Sequence, residues 1–307
     1  MNKKERIPAL LIIGGPTASG KSSLAERLAF QYDFPIISAD SRQIYRGFDI
    51  GTAKPSRDIL NRLKYEMIDI LDPDEVFSAG KFAERAALLI NGKYRDERII
   101  IITGGTGFYL TALTEGLAQI PEISPETDQK WNELLETHGI ETIHKKMETT
   151  DPTFLERGDI YNTHRLLRAA KIADQTGRSI YDYIPTSVLT KDHPMAYFAI
   201  HHEREQLYHR IDQRVDDMVE DGLIEEVQSL MRYRDCPAMR TVGYQELLPY
   251  LENQIGLPEA LEKIKQHSRN YAKRQLTWMR KHGKWTWIDP DDTQKIEEWI
   301  RSMTYEE

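Results

Sequence analysis

Cysteine is nearly absent: Cys236 stands alone among 307 residues. One thiol excludes an internal disulfide and any cysteine-cluster zinc site. Long apolar runs are missing as well. None approaches the roughly 18–20 residues that a membrane-spanning helix needs, so no membrane role is expected. Positive charge is short, with a net charge of −8 at pH 7. Contact with nucleic acid would need basic residues gathered on one face against that acidic average. Met1-Asn2-Lys3-Lys4-Glu5-Arg6 runs straight into the first apolar segment and leaves no room for a signal peptide. Internal repeats and low-complexity stretches are lacking too. The remainder, 40% hydrophobic and 29% charged, reads as a cytoplasmic enzyme with ample core.

Against these absences one stretch stands out. Gly15-Pro16-Thr17-Ala18-Ser19-Gly20-Lys21-Ser22 reads G-x-x-x-x-G-K-S. Ala9-Leu10-Leu11-Ile12-Ile13 precedes it and reads as a buried parallel strand; Ser23 to Ala29 follows with Leu24 and Leu28 one turn apart, as a helix. Strand, glycine loop and helix start in that order make a phosphate-binding loop. Backbone N–H groups and the helix N-terminus favour an anion there, Lys21 adds a full charge, and the Ser22 hydroxyl can ligate Mg²⁺. The pattern alone leaves the phosphate compound open.

Strands and helices alternate through the first 119 residues. Phe34 to Asp40, Tyr65 to Ile70 and Arg98 to Thr103 read as further strands, with a helix from Ser78 to Ile90. This rhythm implies an α/β fold, a P-loop NTPase-like parallel sheet flanked by helices. Two prolines, Pro121 and Pro125, break the pattern, and residues 120–190 read as an all-helical insertion domain. Met195 to Ile200 returns to strand character. Residues 1–119 and 191–307 then form the core domain, with long C-terminal helices over Arg204–Gly222 and Pro258–His282, a short strand near Trp285–Asp289, and a frayed surface helix after Gln294.

Ligands of such sheets bind beyond the carboxyl ends of the strands, and three segments meet there. Asp40 ends the second strand; it can hold Mg²⁺ or a substrate hydroxyl, take a proton from a nucleophile, or simply cap a loop. Gly104-Gly105-Thr106-Gly107 follows the fourth strand, whose last residue, Thr103, is not the acid a standard ATPase carries. Arg214 is placed by a helical wheel: at about 100° per residue from Leu207, Ile211 lies near 40°, Met218 near 20° and Arg214 about 20° to the other side. It sits at the edge of the buried stripe, facing either a structural carboxylate or the phosphate; Arg204 has a weaker version of the same claim. Within the insertion, Arg165, Arg168 and Lys171 step along one face with Arg157 nearby, a basic strip that is either solvated or in contact with RNA.

Taken together, GPTASGKS, DSRQIY (40–45), IGTAKP (50–55), GGTGFY (104–109), RTVGYQE (240–246) and YAKRQLTWMR (271–280) closely resemble bacterial tRNA dimethylallyltransferases, also called tRNA isopentenyltransferases. HRLLR (164–168) carries the likeness into the insertion. The resemblance implies transfer of a dimethylallyl group from dimethylallyl diphosphate to N6 of adenosine 37 of tRNA, 3′ of the anticodon, with release of diphosphate and a need for Mg²⁺. It implies Asp40 as general base, Thr106 against the acceptor nucleotide, and Gly15, Thr17, Ala18, Ser19, Gly20, Lys21, Ser22 and Arg214 around the diphosphate, with Ser22 on the metal. It implies tRNA contacts from Asp40, Ser41, Arg42, Gln43 and Thr106, from His164, Arg165, Leu166, Leu167 and Arg168, and from Arg240, Thr241, Val242, Gly243, Tyr244 and Gln245. The insertion would grip the anticodon stem-loop. The zinc finger of eukaryotic members is absent, as in the bacterial form, and a monomer is expected. The strongest rival is a small-molecule or nucleoside kinase using ATP. An isopentenyltransferase acting on a free nucleotide and a non-catalytic RNA-binding protein stand behind it.

Overall fold

The structure, a computed structural model, describes residues 7–190, 192–282 and 284–304. The leaderless start and the acidic tail expected from the sequence fall on residues 1–6 and 305–307, outside the described residues. In chain order the strands are Ala9–Gly14 (β1), Ile36–Ser38 (β2), Tyr65–Glu66 (β3), Ile99–Gly104 (β4), Leu117–Ala118 (β5), Pro185–Thr186 (β6), Met195–Ile200 (β7) and Thr286–Ile288 (β8). The α-helices are Lys21–Tyr32 (α1), Arg57–Arg62 (α2), Ala79–Leu88 (α3), Gly107–Thr114 (α4), Pro125–Thr150 (α5), Pro152–Arg157 (α6), Thr163–Thr176 (α7), Arg204–Glu220 (α8), Leu223–Ser229 (α9), Leu248–Leu251 (α10), Leu257–Lys281 (α11) and Gln294–Thr304 (α12).

Aliphatic, uncharged runs set the centre of the sheet. β1 and β4 are buried along their whole lengths, as strands covered on both faces must be. They pair in parallel from Ala9↔Ile99 to Gly14↔Gly104, and the full order is β3-β2-β4-β1-β7-β8, every pair parallel. The chain leaves β1 toward β2, returns to insert β4 between them, and later adds β7 on β1's other side. That reversal opens a crevice at the carboxyl end of β1, where ligands of open α/β sheets bind. The expected third strand over 65–70 stops after Glu66, because Met67 and Asp69 take φ of 67° and 52°, outside any strand geometry. No helix among the described residues is long and apolar enough to cross a membrane.

The chain divides into two compact units: Met1–Thr114 with Val188–Glu307, and Glu115–Ser187. The second therefore starts and ends a few residues earlier than 120–190. Its neck is an antiparallel ladder, Leu117↔Thr186 and Ala118↔Pro185, so it is not wholly helical. Within this unit α5 breaks at Gly139 (φ 74°), and α5, α6 and α7 pack around Trp131, Ile143, Met147, Phe154, Leu166 and Leu167. Lys171, buried among them, donates to Asp128 and Asn132 at 2.7 Å each. It belongs to the packing and not to the basic strip.

Leu166 is 0% exposed, so Leu166→Ala should cost this unit about 2–5 kcal/mol, while Arg165→Ala on the solvent side should cost less than about 0.5 kcal/mol. Chemical denaturation followed by circular dichroism measures both; equal losses would mean that Leu166 is not a core residue.

Candidate active site

The phosphate loop is held in shape by its neighbours. Gly20 caps α1 with φ 90°, a left-handed conformation natural to glycine, so that Lys21 opens the helix. Arg210 donates Nε–H to the Ala18 carbonyl at 2.9 Å. His202 Nε2 lies 2.8 Å from the Ser19 carbonyl; as that oxygen only accepts, Nε2 carries the proton. Ala18 through Ser22 line a cavity of about 610 Å³ together with Arg210 and Arg214. The Ser19 hydroxyl is buried and unpartnered.

Electrostatics at this wall favour an anion. Burial brings the Lys21 ammonium down to a pKa of about 8; Asp40 works against that shift and Arg214 adds to it. Arg214 is also pulled below its ordinary value by burial, with Asp40 the field that opposes this. Among the described residues Arg214 has no carboxylate within ion-pair distance, so the structural partner weighed from the sequence is not there. Two desolvated cations with one acid between them form a site short of negative charge.

A second cavity, of about 440 Å³, shares Arg214 with the first and has Asp40 in its lining. Asp40, Ser41, Arg42 and Thr106 form one wall, Arg240 to Gly243 with Gln245 another, and Tyr271 and Arg274 of α11 a third. The loops carrying the first wall are stapled together. Ala39 donates to the Thr103 carbonyl at 2.7 Å and Thr106 donates its N–H to the Ala39 carbonyl at 3.2 Å. A Cβ at Gly104 would collide with the Ala39 backbone, so only glycine allows that approach. The Thr106 hydroxyl accepts from the Ser41 N–H at 3.0 Å and donates to the Ser41 hydroxyl at 3.2 Å. One Asp40 oxygen accepts from the Arg42 N–H at 2.8 Å, which fixes the carboxylate's direction. A small cavity of about 50 Å³, lined by Thr17, Lys21, Ser22, Asp40 and Arg214 among others, shares walls with both larger ones.

The structure thus brings Thr17 to Ser22, Asp40, Thr106, Arg42, Arg214 and Arg240 around one system of cavities. Gly15 lies at its back, packed against the Ser19 hydroxyl. Other residues of the same motifs are spent internally. Gln43 is 6% exposed; it accepts from the Ser38 hydroxyl at 3.1 Å and donates to the Thr52 and Ala53 carbonyls at 3.3 and 3.0 Å. Tyr244 is fully buried and donates to Glu226 at 2.5 Å. The Thr241 hydroxyl donates to the Ala238 carbonyl at 2.6 Å. These side chains shape the cavity, whose surface is lined by Ser41, Arg42, Arg240, Thr241, Val242 and Gln245 among others. In the insertion, Leu166 and Leu167 face the core, whereas His164, Arg165 and Arg168 are exposed. Arg204 is exposed and lies over the Tyr208 ring, away from any anion role.

Several supporting residues carried no signal of their own in the sequence. Glu226 accepts from the N–H groups of Asp49, Ile50 and Gly51 at 3.1, 2.8 and 3.2 Å. Glu246 accepts from the Gly243 N–H at 2.8 Å, where Gly243 has φ 103°. Two carboxylates therefore pin the turns at 49–51 and 243, which lie against each other beside the cavity. His202 and Arg210 do the same for the phosphate loop.

A parallel sheet with a phosphate loop, and a second cavity facing it across one carboxylate, defines a P-loop α/β enzyme that holds a phosphorylated compound beside another substrate. A family model described as IPP transferase matches residues 43–282, and the chain belongs to that family. It is 41% identical over 292 residues to the tRNA dimethylallyltransferase of Staphylococcus carnosus, covering 93% of this chain and 92% of that one. It is 34% identical over 295 residues to tRNA dimethylallyltransferase 1 of Bacteroides thetaiotaomicron, covering 96% of each. The crystal structure of the full-length tRNA isopentenylpyrophosphate transferase from Bacillus halodurans aligns with a TM-score of 0.69 at 35% identity, over 98% of this chain and 97% of that one. None of these relatives is a kinase.

Lys21 supplies a test. A bound diphosphate favours the charged ammonium, so binding takes up a proton wherever free Lys21 is neutral. With a free-state pKa of about 8, affinity for a diphosphate ester should stay level up to that pH and then fall about tenfold per unit. Calorimetry without added metal, between about pH 7.5 and 9.5, where a phosphate ester is already fully ionised, measures it. Lys21→Met should bind weakly and without that slope. A level wild-type profile would exclude the ammonium as a ligand of the anion.

Proposed function

We propose that this protein transfers the dimethylallyl group of dimethylallyl diphosphate to N6 of the adenosine 3′ of the anticodon, position 37 of tRNA, releasing diphosphate. The observation that carries this reading is Asp40: its carboxylate stands where Lys21 of the phosphate loop, Arg214 and a nucleotide-sized cavity meet. The diphosphate would lie along Ala18 to Ser22 with Lys21 and Arg214. The adenine would enter from the cavity lined by Thr106, Arg42 and Arg240. Its base must leave the stack of the anticodon loop to reach that depth, and splayed bases of a single-stranded loop are read one at a time.

The reaction balances within this arrangement. The allylic C–O bond breaks and the diphosphate leaves with the electron pair. The N6 lone pair forms the new C–N bond, and the N6 proton passes to Asp40. An exocyclic adenine amine is a weak nucleophile because its lone pair is delocalised; a carboxylate that accepts one N6 proton orients the amine and drains charge as the bond forms. Lys21, Arg214 and the loop N–H groups stabilise the charge gathering on the departing oxygens, so the electrostatic work falls on the leaving group. Phosphorus is not attacked, which agrees with the missing acid at the end of β4: Thr103 spends its hydroxyl on the Ile13 carbonyl at 3.2 Å.

Mg²⁺ fits these residues. Among the described residues no cluster of three His, Cys, Asp or Glu side chains could hold a metal. A hard cation that keeps water and takes substrate phosphate oxygens needs only one or two protein ligands, and the Ser22 hydroxyl on the cavity wall supplies one. When bound, the ion would neutralise charge on the diphosphate. The exposed His164, Arg165 and Arg168 give the insertion a face suited to RNA phosphates. A monomer working in the cytoplasm, where unmodified tRNA is made, completes the reading.

The assay is direct: purified protein, dimethylallyl diphosphate, Mg²⁺ and unmodified tRNA, followed by nucleoside analysis. N6-dimethylallyladenosine is expected; ATP turnover with no modified adenosine would overturn the proposal. Asp40→Ala should abolish transfer while tRNA affinity stays within about threefold of wild type, and full activity in that variant would remove Asp40 as the base.

A further inference from the structure

One polar side chain near the site is buried and belongs to neither cavity's chemistry as described so far. Gln275, in the second turn from the end of α11, is 7% exposed. Its Oε1 accepts from the Thr17 N–H at 2.8 Å, and its Nε2 donates to the Gly105 carbonyl at 2.9 Å. The orientation of the amide is not arbitrary. Thr17 N–H can only donate and Gly105 C=O can only accept, so the oxygen must face the phosphate loop and the nitrogen the loop after β4. Glutamate would lose the donor, and leucine would lose both bonds at similar volume.

The two loops have different tasks. The Thr17 loop leads into Lys21, the cation placed to face the diphosphate; the Gly105 loop carries Thr106, which holds Ser41 and borders the adenine cavity. Thr17 is also the phosphate-loop residue that lines the cavity on the Asp40 side, whereas Ala18 to Ser22 line the other. Its N–H is therefore committed to Gln275 and withdrawn from the anion. One turn earlier on the same helix, the Tyr271 phenol faces Thr106.

We propose that Gln275 is a positioning residue that fixes the distance between the phosphate loop and the acceptor loop, and so aligns the leaving diphosphate with the incoming amine. This rests on the functional reading above. Displacement at an allylic carbon needs donor and acceptor on one line, and a misplacement of about 1 Å can cost on the order of a hundredfold. A neutral amide suits the place: it bridges two backbones without adding charge beside Lys21, Arg214 and Asp40.

A second residue tests the same bridge independently. A Cβ at Gly105 would occupy the position of Gln275 Nε2. Gly105 does not have a left-handed φ, and the obstacle is the end of a flexible side chain, so Gly105→Ala should expel the amide without distorting the loop. Gln275→Leu and Gly105→Ala should then behave alike. By NMR, exchange of the Thr17 amide should speed up at least about tenfold in both. Single-turnover transfer should slow by about ten- to hundredfold, with KM for dimethylallyl diphosphate and affinity for an anticodon stem-loop each within about threefold. The double variant should be no slower than the worse single one, because both remove one element. Unchanged Thr17 exchange, or single effects that multiply in the double variant, would overturn the proposal. A wild-type protein that makes no modified adenosine would fail the functional reading instead, while the exchange measurement still decides the bridge.

Discussion

Two cations held out of water face a single carboxylate, and the rest of the core unit is arranged around that imbalance. Lys21 and Arg214 each lose hydration, and each feels the other as a like charge or Asp40 as the opposite one. An arrangement of this kind is costly unless an anion completes it. The parallel sheet brings the three together from distant parts of the chain. Lys21 comes from the loop after β1, Asp40 from the loop after β2, and Arg214 from the helix that follows β7. Register matters here: Gly14 pairs with Gly104 and Ser38 with Thr103, so three loops start at one level and reach the same crevice.

Loops that carry charge need polar struts, because they cannot rely on apolar packing at the point where a ligand enters. Glu226 pins the turn at 49–51, Glu246 the turn at 243, and His202 and Arg210 the carbonyls of the phosphate loop. Each bond is modest, worth about 0.5–1.5 kcal/mol net, and somewhat more for a charged partner. Their effect is geometric. They hold the backbone behind the ligand-facing groups, with Lys21 adding a bond from its ammonium to the Pro16 carbonyl at 3.2 Å. Gln43 and Tyr244 belong with these struts.

The sequence made the centre of the fold legible because β1 and β4 are so uniformly apolar, and it made the phosphate loop legible because its glycines have a fixed spacing. Arg214 could be found from the wheel alone, since a cation at the edge of a buried stripe is unusual. The supporting residues were hidden for the opposite reason. Glu226 and His202 are ordinary polar residues whose partners lie 175 to 177 and 183 positions away, and no local spacing announces such bonds; Gln275 lies inside YAKRQLTWMR, but its partner 258 positions away is no more legible. Motif membership also misled in places. Leu166, Leu167 and Lys171 share a short basic-looking stretch with Arg165 and Arg168, but the helical period of 3.6 turns them inward. The β5–β6 ladder was missed because two residues per strand leave no alternation to read.

The same imbalance bears on how an acidic chain can serve RNA. With a net charge of −8, long-range attraction to a polyanion is not on offer, so affinity has to be local. The core unit meets this with guanidiniums at the cavity, Arg42, Arg240 and Arg274, none of which has a carboxylate within ion-pair distance among the described residues. Elsewhere arginines are often paired: Arg46 with Asp72, Arg234 with Glu252, Arg269 with Asp212 and Glu262. Charge that is neutralised over the general surface and left free at one cavity focuses the field there. In the proposed reaction that focus has a second consequence. The cavity that attracts the acceptor shares a wall with the cations that stabilise the leaving group. An adenine in that cavity would thus meet the Asp40 carboxylate on the wall it shares with those cations.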